Sequence, residues 1–230
     1  MTGAATLRLR LPEDVCPIPA TSALWLRPRG AVAVLALAHG AGAGMRHPFM
    51  EAVAERLSAR KVATLRFQFP YMEQGRRAPD RAAVLVATVQ AAVREARRRA
   101  KGLPLFAGGK SMGGRMTSTA ASASDGLPGV SGLVFFGFPL HASGQPSVER
   151  AAHLRDVGAP MLFLQGTRDP LADLGRIRAV CRGLGARATL RVIEGGDHGF
   201  HVPKRSGRTD AEALDEIADA VRAWMDENRP

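Results

Sequence analysis

The pentapeptide Gly109-Lys110-Ser111-Met112-Gly113 constrains the fold most, because it stands between an apolar segment and a run of small, helix-compatible residues. A G-x-S-x-G pattern in this setting is typical of a strand that turns sharply into a helix. Glycine two residues before and two after the serine lets the backbone pass closely, and the turn raises the serine hydroxyl above the sheet. We predict a strand at 103–107, a helix at 112–124, and Ser111 as candidate nucleophile. A plain glycine-rich loop is the alternative.

Segments of strand and helix character alternate along the rest of the chain. Residues 6–11 and 23–27 alternate polar and apolar side chains, which predicts two half-exposed strands at a sheet edge. Residues 31–38 are apolar on both faces, as expected of a parallel strand that helices cover on both sides. Further strands are predicted at 62–67, 130–136, 160–165 and 188–193.

Helices are predicted between these strands from capping residues and apolar stripes. Pro48 suits the first turn of one helix, Asp80 is expected to cap a long one, and residues 209–212 form a capping box for the last. A short helix at 148–155 and a longer one at 171–184 complete the pattern.

This order of elements predicts one α/β domain over residues 1–230, with edge strands in 1–30 and the core in 31–230. We expect a mostly parallel sheet of about eight strands with helices on both faces. No segment is long enough for a cap domain.

The formal net charge of +11 raises a nucleic acid or an anionic membrane as a partner. The basic residues are scattered and mostly arginine, however, so we expect neither specific nucleic-acid binding nor a membrane partner.

Cys16 and Cys181 form no metal-binding or disulfide pattern, and residues 1–11 lack the apolar run of a signal peptide. A cytoplasmic location fits best, and the protein is expected to be a monomer or homodimer.

Polar groups follow three of the predicted strands, at the edge where the carboxyl ends of parallel strands meet. Ser111 follows one strand, Asp169 another and His198 the last, in the order of the α/β-hydrolase triad. In such a triad the histidine takes the serine proton and the aspartate holds the imidazole. Backbone N–H groups of Ala41 and Met112 would stabilise the oxyanion.

Other interpretations of these residues remain open. Asp173 and His201 are fallback acid and base, and Asp169 and His198 could simply bond backbone groups. A metal site from Asp197, His198 and His201 lacks an assembled ligand set, and we expect no metal and no cofactor.

The chain resembles small α/β-hydrolases of the dienelactone-hydrolase-like group, and more closely the family of the testis-expressed and NSL-complex-subunit hydrolase-like domains and their bacterial relatives. The resemblance rests on motifs spread over most of the chain from Ala31 onward: His39 to Gly42, Arg66 to Tyr71 with Gly75 to Arg77, Gly109 to Arg115, Gly137 to His141, Gln165 to Asp169 and Gly196 to His198. It implies a serine-hydrolase core with triad Ser111, Asp169 and His198. Dienelactone hydrolases are known for cysteine at the elbow, so serine here does not imply a dienelactone substrate.

The function expected from these observations is cleavage of carboxylic esters of small or medium acyl groups through an acyl-serine intermediate. A peptidase, thioesterase or acyltransferase with the same triad, or a non-catalytic interaction domain, are the alternatives. The substrate would be a small acyl compound, and the strand-end residues Phe69, Tyr71, Phe138 and His141 are expected to line its pocket. Arginine and lysine near the site could favour an acidic acyl group; they are Arg76, Arg77, Lys110, Arg115 and Arg168.

Overall fold

The computed structural model describes residues 3–229, and within them eight strands form one sheet in the order β1-β2-β4-β3-β5-β6-β7-β8. Strand β1 pairs antiparallel with β2, and β2 antiparallel with β4, while all later pairs are parallel. The strands are β1 (Ala5–Arg10), β2 (Ala20–Leu26), β3 (Ala33–Ala38), β4 (Val62–Phe67), β5 (Leu105–Lys110), β6 (Val130–Phe136), β7 (Met161–Gly166) and β8 (Ala188–Ile193).

Residues 3–229 contain six α-helices, of which the last follows β8 and the others lie between strands: α1 (Pro48–Ala59), α2 (Pro70–Glu73), α3 (Ala82–Ala100), α4 (Met112–Ser122), α5 (Leu174–Leu184) and α6 (Asp210–Glu227). Short 3₁₀ turns occupy Glu149–Asp156, Gly185–Arg187 and Lys204–Ser206. The predicted sheet with helices on both faces is confirmed, and residues 3–229 contain no separate cap domain.

Two hydrophobic clusters lie on opposite faces of the sheet. Helices α3, α4 and α5 cover one face, where they bury side chains such as Val89, Met116 and Ile177. Helices α1 and α6 cover the other, with Leu57 and Trp224 among the buried residues. Strand β3 is buried along its whole length, because helices exclude water from both of its faces.

Two capping predictions had different outcomes. The box at the start of α6 is confirmed, with Thr209 and Glu212 exchanging side-chain and backbone hydrogen bonds. Asp80 does not cap α3, which begins after Arg81. The Asp80 carboxylate instead accepts the Tyr71 N–H at 2.8 Å and a hydrogen bond from Arg76. Asp80 therefore bonds to the short helix α2 and not to the start of α3.

Candidate active site

The turn between β5 and α4 is strained at Ser111, whose φ of 51° and ψ of −117° lie in a region that side chains rarely adopt. Glycine stands two residues before and two residues after Ser111, because a side chain at either position would clash with the backbone. A Cβ at Gly109 would lie 2.6 Å from the Ala38 carbonyl oxygen, and one at Gly113 would lie 2.5 Å from the His39 carbonyl oxygen. The turn therefore crosses directly beneath the end of β3, and the serine side chain is raised at the sheet edge.

A hydrogen-bonded chain joins Ser111 to two groups from later strand ends. The Ser111 Oγ lies 2.8 Å from His198 Nε2, and His198 Nδ1 lies 2.7 Å from Asp169 Oδ2. With the proton on Nδ1 donated to the carboxylate, Nε2 is free to accept the serine proton. The Asp169 side chain has no exposed surface and that of His198 is 24% exposed.

The carboxylate of Asp169 is fixed by further donors. Gln165 Nε2 donates to Oδ2 at 2.6 Å and the Leu171 N–H donates to Oδ1 at 2.8 Å. The Gln165 amide oxygen in turn accepts the Phe138 N–H at 3.1 Å. The aspartate that faces the imidazole is thus held on both oxygens.

The glycine loop after β3 reaches the same edge. His39 is buried there, its Nδ1 donates to the Gly40 carbonyl at 2.8 Å and its Nε2 accepts the Phe69 N–H at 3.1 Å. Burial lowers the pKa of His39 to about 4, so the ring is neutral and locks the start of the loop. Tyr71 Oη accepts the Gly42 N–H at 3.1 Å.

The two N–H groups predicted to stabilise an oxyanion belong to Met112, directly after the serine, and to Ala41, which lines the cavity together with Ser111. Met112 is the first residue of α4, and the exposed Ala41 lies on the glycine loop. Among residues 3–229 neither N–H has a hydrogen-bond acceptor. Both donors are free for an oxygen atom bound beside Ser111.

A cavity of about 730 Å³ opens beside Ser111 and His198, between the first turns of α1 and α6. Its wall is mainly apolar, and its rim includes the exposed ion pair of His201 and Asp210 at 2.7 Å. The lining includes Ala41, His47, Phe49, Met50, Lys110, Leu171, Phe200 and Leu214. The arrangement gives a serine activated by an imidazole, two unpaired donors and a space for an apolar group.

A family model for the alpha/beta hydrolase domain matches residues 31–226. The chain belongs to this family. The matched segment begins just before β3 and holds Ser111, Asp169 and His198, so it covers the whole of the site described above.

Solved structures of similar architecture support the same fold. This alpha/beta hydrolase resembles a serine hydrolase without lid from Xanthomonas campestris, at 19% identity over 97% of this chain and 96% of the other, with a TM-score of 0.73. It also resembles a dienelactone hydrolase from Anabaena variabilis, at 20% identity over the full length of both chains, with a TM-score of 0.76. A cold-adapted esterase from an Arctic intertidal metagenomic library matches at 18% identity, over 99% and 94%, with a TM-score of 0.68. At these identities the likeness concerns the fold.

The expected pocket aromatics of this hydrolase lie elsewhere. Phe69, Tyr71 and Phe138 are buried on the face covered by α3, α4 and α5, and none of them lines the cavity. The Phe138 ring packs against Phe135 and Phe163 instead. His141 is also buried, with Nδ1 donating to the Ala142 carbonyl at 2.8 Å. The prediction of a pocket from these four residues is corrected, because their side chains turn toward the core and not toward the opening.

The cavity residues that sequence reasoning missed come from helix starts. Phe49 stands in the first turn of α1, directly after the glycine loop, and Leu214 lies near the start of α6. Phe200 follows His198 by two residues and has a positive φ of 65°. Phe49 and Phe200 could have been predicted from the sequence, because they directly follow the glycine loop after β3 and the loop of His198.

The fallback residues have other partners. Asp173 caps α5 by accepting the Arg176 N–H at 2.9 Å, and His201 pairs with Asp210.

The described residues contain no cluster of three metal-ligating side chains. None of the helices in residues 3–229 is long and apolar enough to cross a membrane. Of the five basic residues considered for an acidic substrate, Lys110 is the one that lines the cavity.

Proposed function

We propose that this alpha/beta hydrolase cleaves carboxylic esters of small or medium acyl groups through an acyl-Ser111 intermediate. The hydrogen-bonded chain from Ser111 through His198 to the buried Asp169 carries the proposal, since a serine hydroxyl is a poor nucleophile unless a base takes its proton. Ser111, Asp169 and His198 follow the strands β5, β7 and β8. The Asp169 carboxylate is held by the Leu171 N–H and by the Gln165 side chain.

In the first half-reaction, Ser111 Oγ forms a bond to the ester carbonyl carbon while its proton passes to His198 Nε2. The carbonyl π electrons move to oxygen, and the N–H groups of Ala41 and Met112 donate to that oxyanion. When the tetrahedral intermediate collapses, the ester C–O bond breaks and His198 gives its proton to the leaving alcohol. Asp169 stabilises the imidazolium in between without itself being protonated.

In the second half-reaction, water replaces the alcohol and the same steps run again to release the acid. The cavity rim supports water as acceptor, because the side chains of His201 and Asp210 there are 71% and 50% exposed. Nothing in residues 3–229 forms a cap that would shield the acyl-enzyme from solvent. A volume of about 730 Å³ with apolar walls accommodates a short or medium acyl chain.

We further propose that the protein is related most closely to the testis-expressed and NSL-complex-subunit hydrolase-like group within the family. The motifs given above support this, in particular the elbow Gly-Lys-Ser-Met-Gly-Gly-Arg from Gly109 to Arg115. Some members of that group are subunits of chromatin complexes, so the test of function must distinguish an active serine from a structural one.

The proposed function is tested with a fluorophosphonate probe and a series of p-nitrophenyl esters. Wild-type protein should be labelled at a single serine and should hydrolyse the esters. Ser111→Ala should abolish labelling and lower kcat by roughly 10⁶, the loss typical when triad residues act as a unit. Ser143→Ala, at an exposed position away from the cavity, is the matched control and should behave as wild type. Labelling or esterase activity that survives in Ser111→Ala identifies a different nucleophile and refutes the proposal.

A further inference from the structure

Lys110, directly before the nucleophile, has a half-buried side chain that reaches across to the loop of His198. Its ammonium donates a hydrogen bond to the His198 backbone carbonyl. Among residues 3–229, Lys110 is the only donor to that carbonyl oxygen. The elbow and the histidine loop, which follow different strands, are therefore tied together by one side chain.

The ammonium also lies near two aromatic rings, those of Phe49 and Phe200. Nζ is 5.6 Å from the centre of the Phe49 ring and 5.3 Å from that of Phe200, and these two rings stack on each other at 5.9 Å. Aromatic faces attract a cation, and a backbone oxygen satisfies one of its N–H groups. The lysine charge is thus accommodated inside the site without a carboxylate partner in contact.

The peptide groups before and after His198 are held by hydrogen bonds of their own: the Asp197 N–H donates to the His201 carbonyl, and the Phe200 N–H donates to the Asp197 carbonyl. Glycine precedes and follows the Asp197-His198 pair, at Gly195, Gly196 and Gly199. The Asp197 carboxylate accepts the N–H groups of Gly199 and His201, which shapes the loop beyond the histidine but does not fix the His198 carbonyl. Among residues 3–229 the His198 carbonyl has the Lys110 ammonium as its one donor, so this charge-assisted hydrogen bond is the restraint on the peptide group that carries the imidazole.

We propose that Lys110 is a positioning residue that holds the His198 imidazole at hydrogen-bond distance from Ser111 by donating to the His198 carbonyl. The inference rests on the proposed function, because it assigns Lys110 a role in the same proton transfer.

The variant Lys110→Met tests the proposal, since methionine keeps an unbranched apolar stem and removes the donor. We expect kcat for a short p-nitrophenyl ester to fall by about 10- to 100-fold, the effect of losing one charge-assisted hydrogen bond, with KM changed less than about twofold. Lys204→Met, at an exposed position outside the cavity, is the matched control and should retain full activity. An unchanged kcat, or a loss confined to KM, overturns the proposal.

The pH profile provides a measurement that a merely structural role would not change. Burial lowers the pKa of Lys110 to about 8, while the carboxylates of Asp169 and Asp197 oppose the shift. His198 from the same loop, and His47, His201 and Asp210 from the cavity wall and rim, are the other titratable groups nearby. As the pH rises through about 8 the ammonium becomes a neutral and weaker donor, so wild-type kcat should fall by about fivefold. Lys110→Met should lack this step, and an identical step in both proteins contradicts the proposal.

A crystal structure of Lys110→Met separates this inference from the proposed function, because it needs no substrate. In the variant the distance between His198 Nε2 and Ser111 Oγ should exceed about 3.5 Å, the limit of a hydrogen bond. If the pair remains at its wild-type separation, Lys110 does not position the histidine, whether or not the protein hydrolyses esters. If the pair separates while wild-type protein shows no esterase activity, the positioning role holds and the proposed reaction fails.

Discussion

Aromatic side chains near Ser111 fall into two groups on opposite faces of the sheet. Phe69, Tyr71 and Phe138 form what we call the supporting group, which is fully packed against the core under α3, α4 and α5. Phe49 and Phe200 form the cavity group, next to α1 and α6, where they face the open space. The first group makes backbone and side-chain hydrogen bonds to the loops and side chains around Ser111, and the second lines the cavity.

The supporting group acts through its hydrogen bonds more than through its surface. Phe69 donates its N–H to His39, Tyr71 accepts from Gly42, and Phe138 donates to Gln165, which holds Asp169. Each bond fixes a loop or side chain of the site. Position at a strand end therefore identifies which residues are near the chemistry, but whether a side chain supports the site or contacts the substrate depends on the face of the sheet that it joins.

The largest effect is expected at Asp169, where the supporting group meets the chemistry. Asp169→Asn keeps the shape but replaces an acceptor by a donor amide, which disfavours the imidazole tautomer that leaves Nε2 free. We expect kcat to fall by about 10⁴ with KM little changed, as in serine hydrolases in which this change has been made. Steady-state kinetics on one p-nitrophenyl ester measure it, and a loss below tenfold would show that Asp169 does not set the tautomer.

The next prediction contrasts one ring from each group in stability, Phe69 and Phe49; Phe200 of the cavity group is itself buried. Phe69→Ala removes a fully buried ring and should lower the free energy of unfolding by about 3–5 kcal/mol. Phe49→Ala removes a ring that is only partly buried, so its cost should be less than half as large. Urea unfolding of both variants under the same conditions tests the contrast, and equal losses would show that the Phe49 ring contributes as much packing as the Phe69 ring.

His39, which accepts the N–H of Phe69 from the supporting group, should also make the fold sensitive to acid. The pKa of His39 is lowered from 6.5 to about 4, so the unfolded chain binds a proton that the folded chain does not between these values. Stability is therefore retained above pH 6.5 and lost as the pH falls toward 4, by about 3 kcal/mol in total. Unfolding curves at several pH values measure the loss.

The control for this acid effect is His39→Gln, which offers a neutral side chain at every pH. The variant should be less stable than wild type at pH 7, because it loses native hydrogen bonds, but its stability should change less between pH 6.5 and 4. An equal slope in both proteins would assign the acid sensitivity to other groups.

The smallest effect is expected on KM, for a substitution at Leu214, which lines the same cavity as Phe49 and Phe200. Leu214 lines the cavity near the start of α6, and Leu214→Trp should fill part of the space. We expect KM for an octanoyl ester to rise by about tenfold while that for an acetyl ester stays within twofold, since about 1.4 kcal/mol of binding is lost for the longer chain only. Equal changes for both esters would place the acyl chain outside this cavity.

Much of the architecture could be predicted from sequence because it depends on repeating patterns. Apolar runs and glycine spacing located the strands and the elbow, and the order of Ser111, Asp169 and His198 was enough to predict that they meet, as they do in the structure. Their catalytic roles stay predictions until the variants are measured.

The features that could not be predicted depend on contacts between residues far apart in sequence, which a local pattern does not contain. Asp80 had the spacing of a helix cap, yet it bonds Tyr71 and Arg76, because a tertiary partner competed with the local one. Phe69 and Phe138 had the position of pocket residues, yet the chain turns them into the core. The reach of Lys110 to His198 spans 88 residues and depends on a side-chain conformation, which no spacing rule could give.

The backbone geometry of Ser111 carries one last consequence. A positive φ costs a residue with a side chain roughly 1–3 kcal/mol, whereas glycine adopts it freely, so Ser111→Gly should raise the thermal stability of the protein as it removes the hydroxyl. The rise in melting temperature of Ser111→Gly would measure how much stability the fold gives up to present a hydroxyl at this turn.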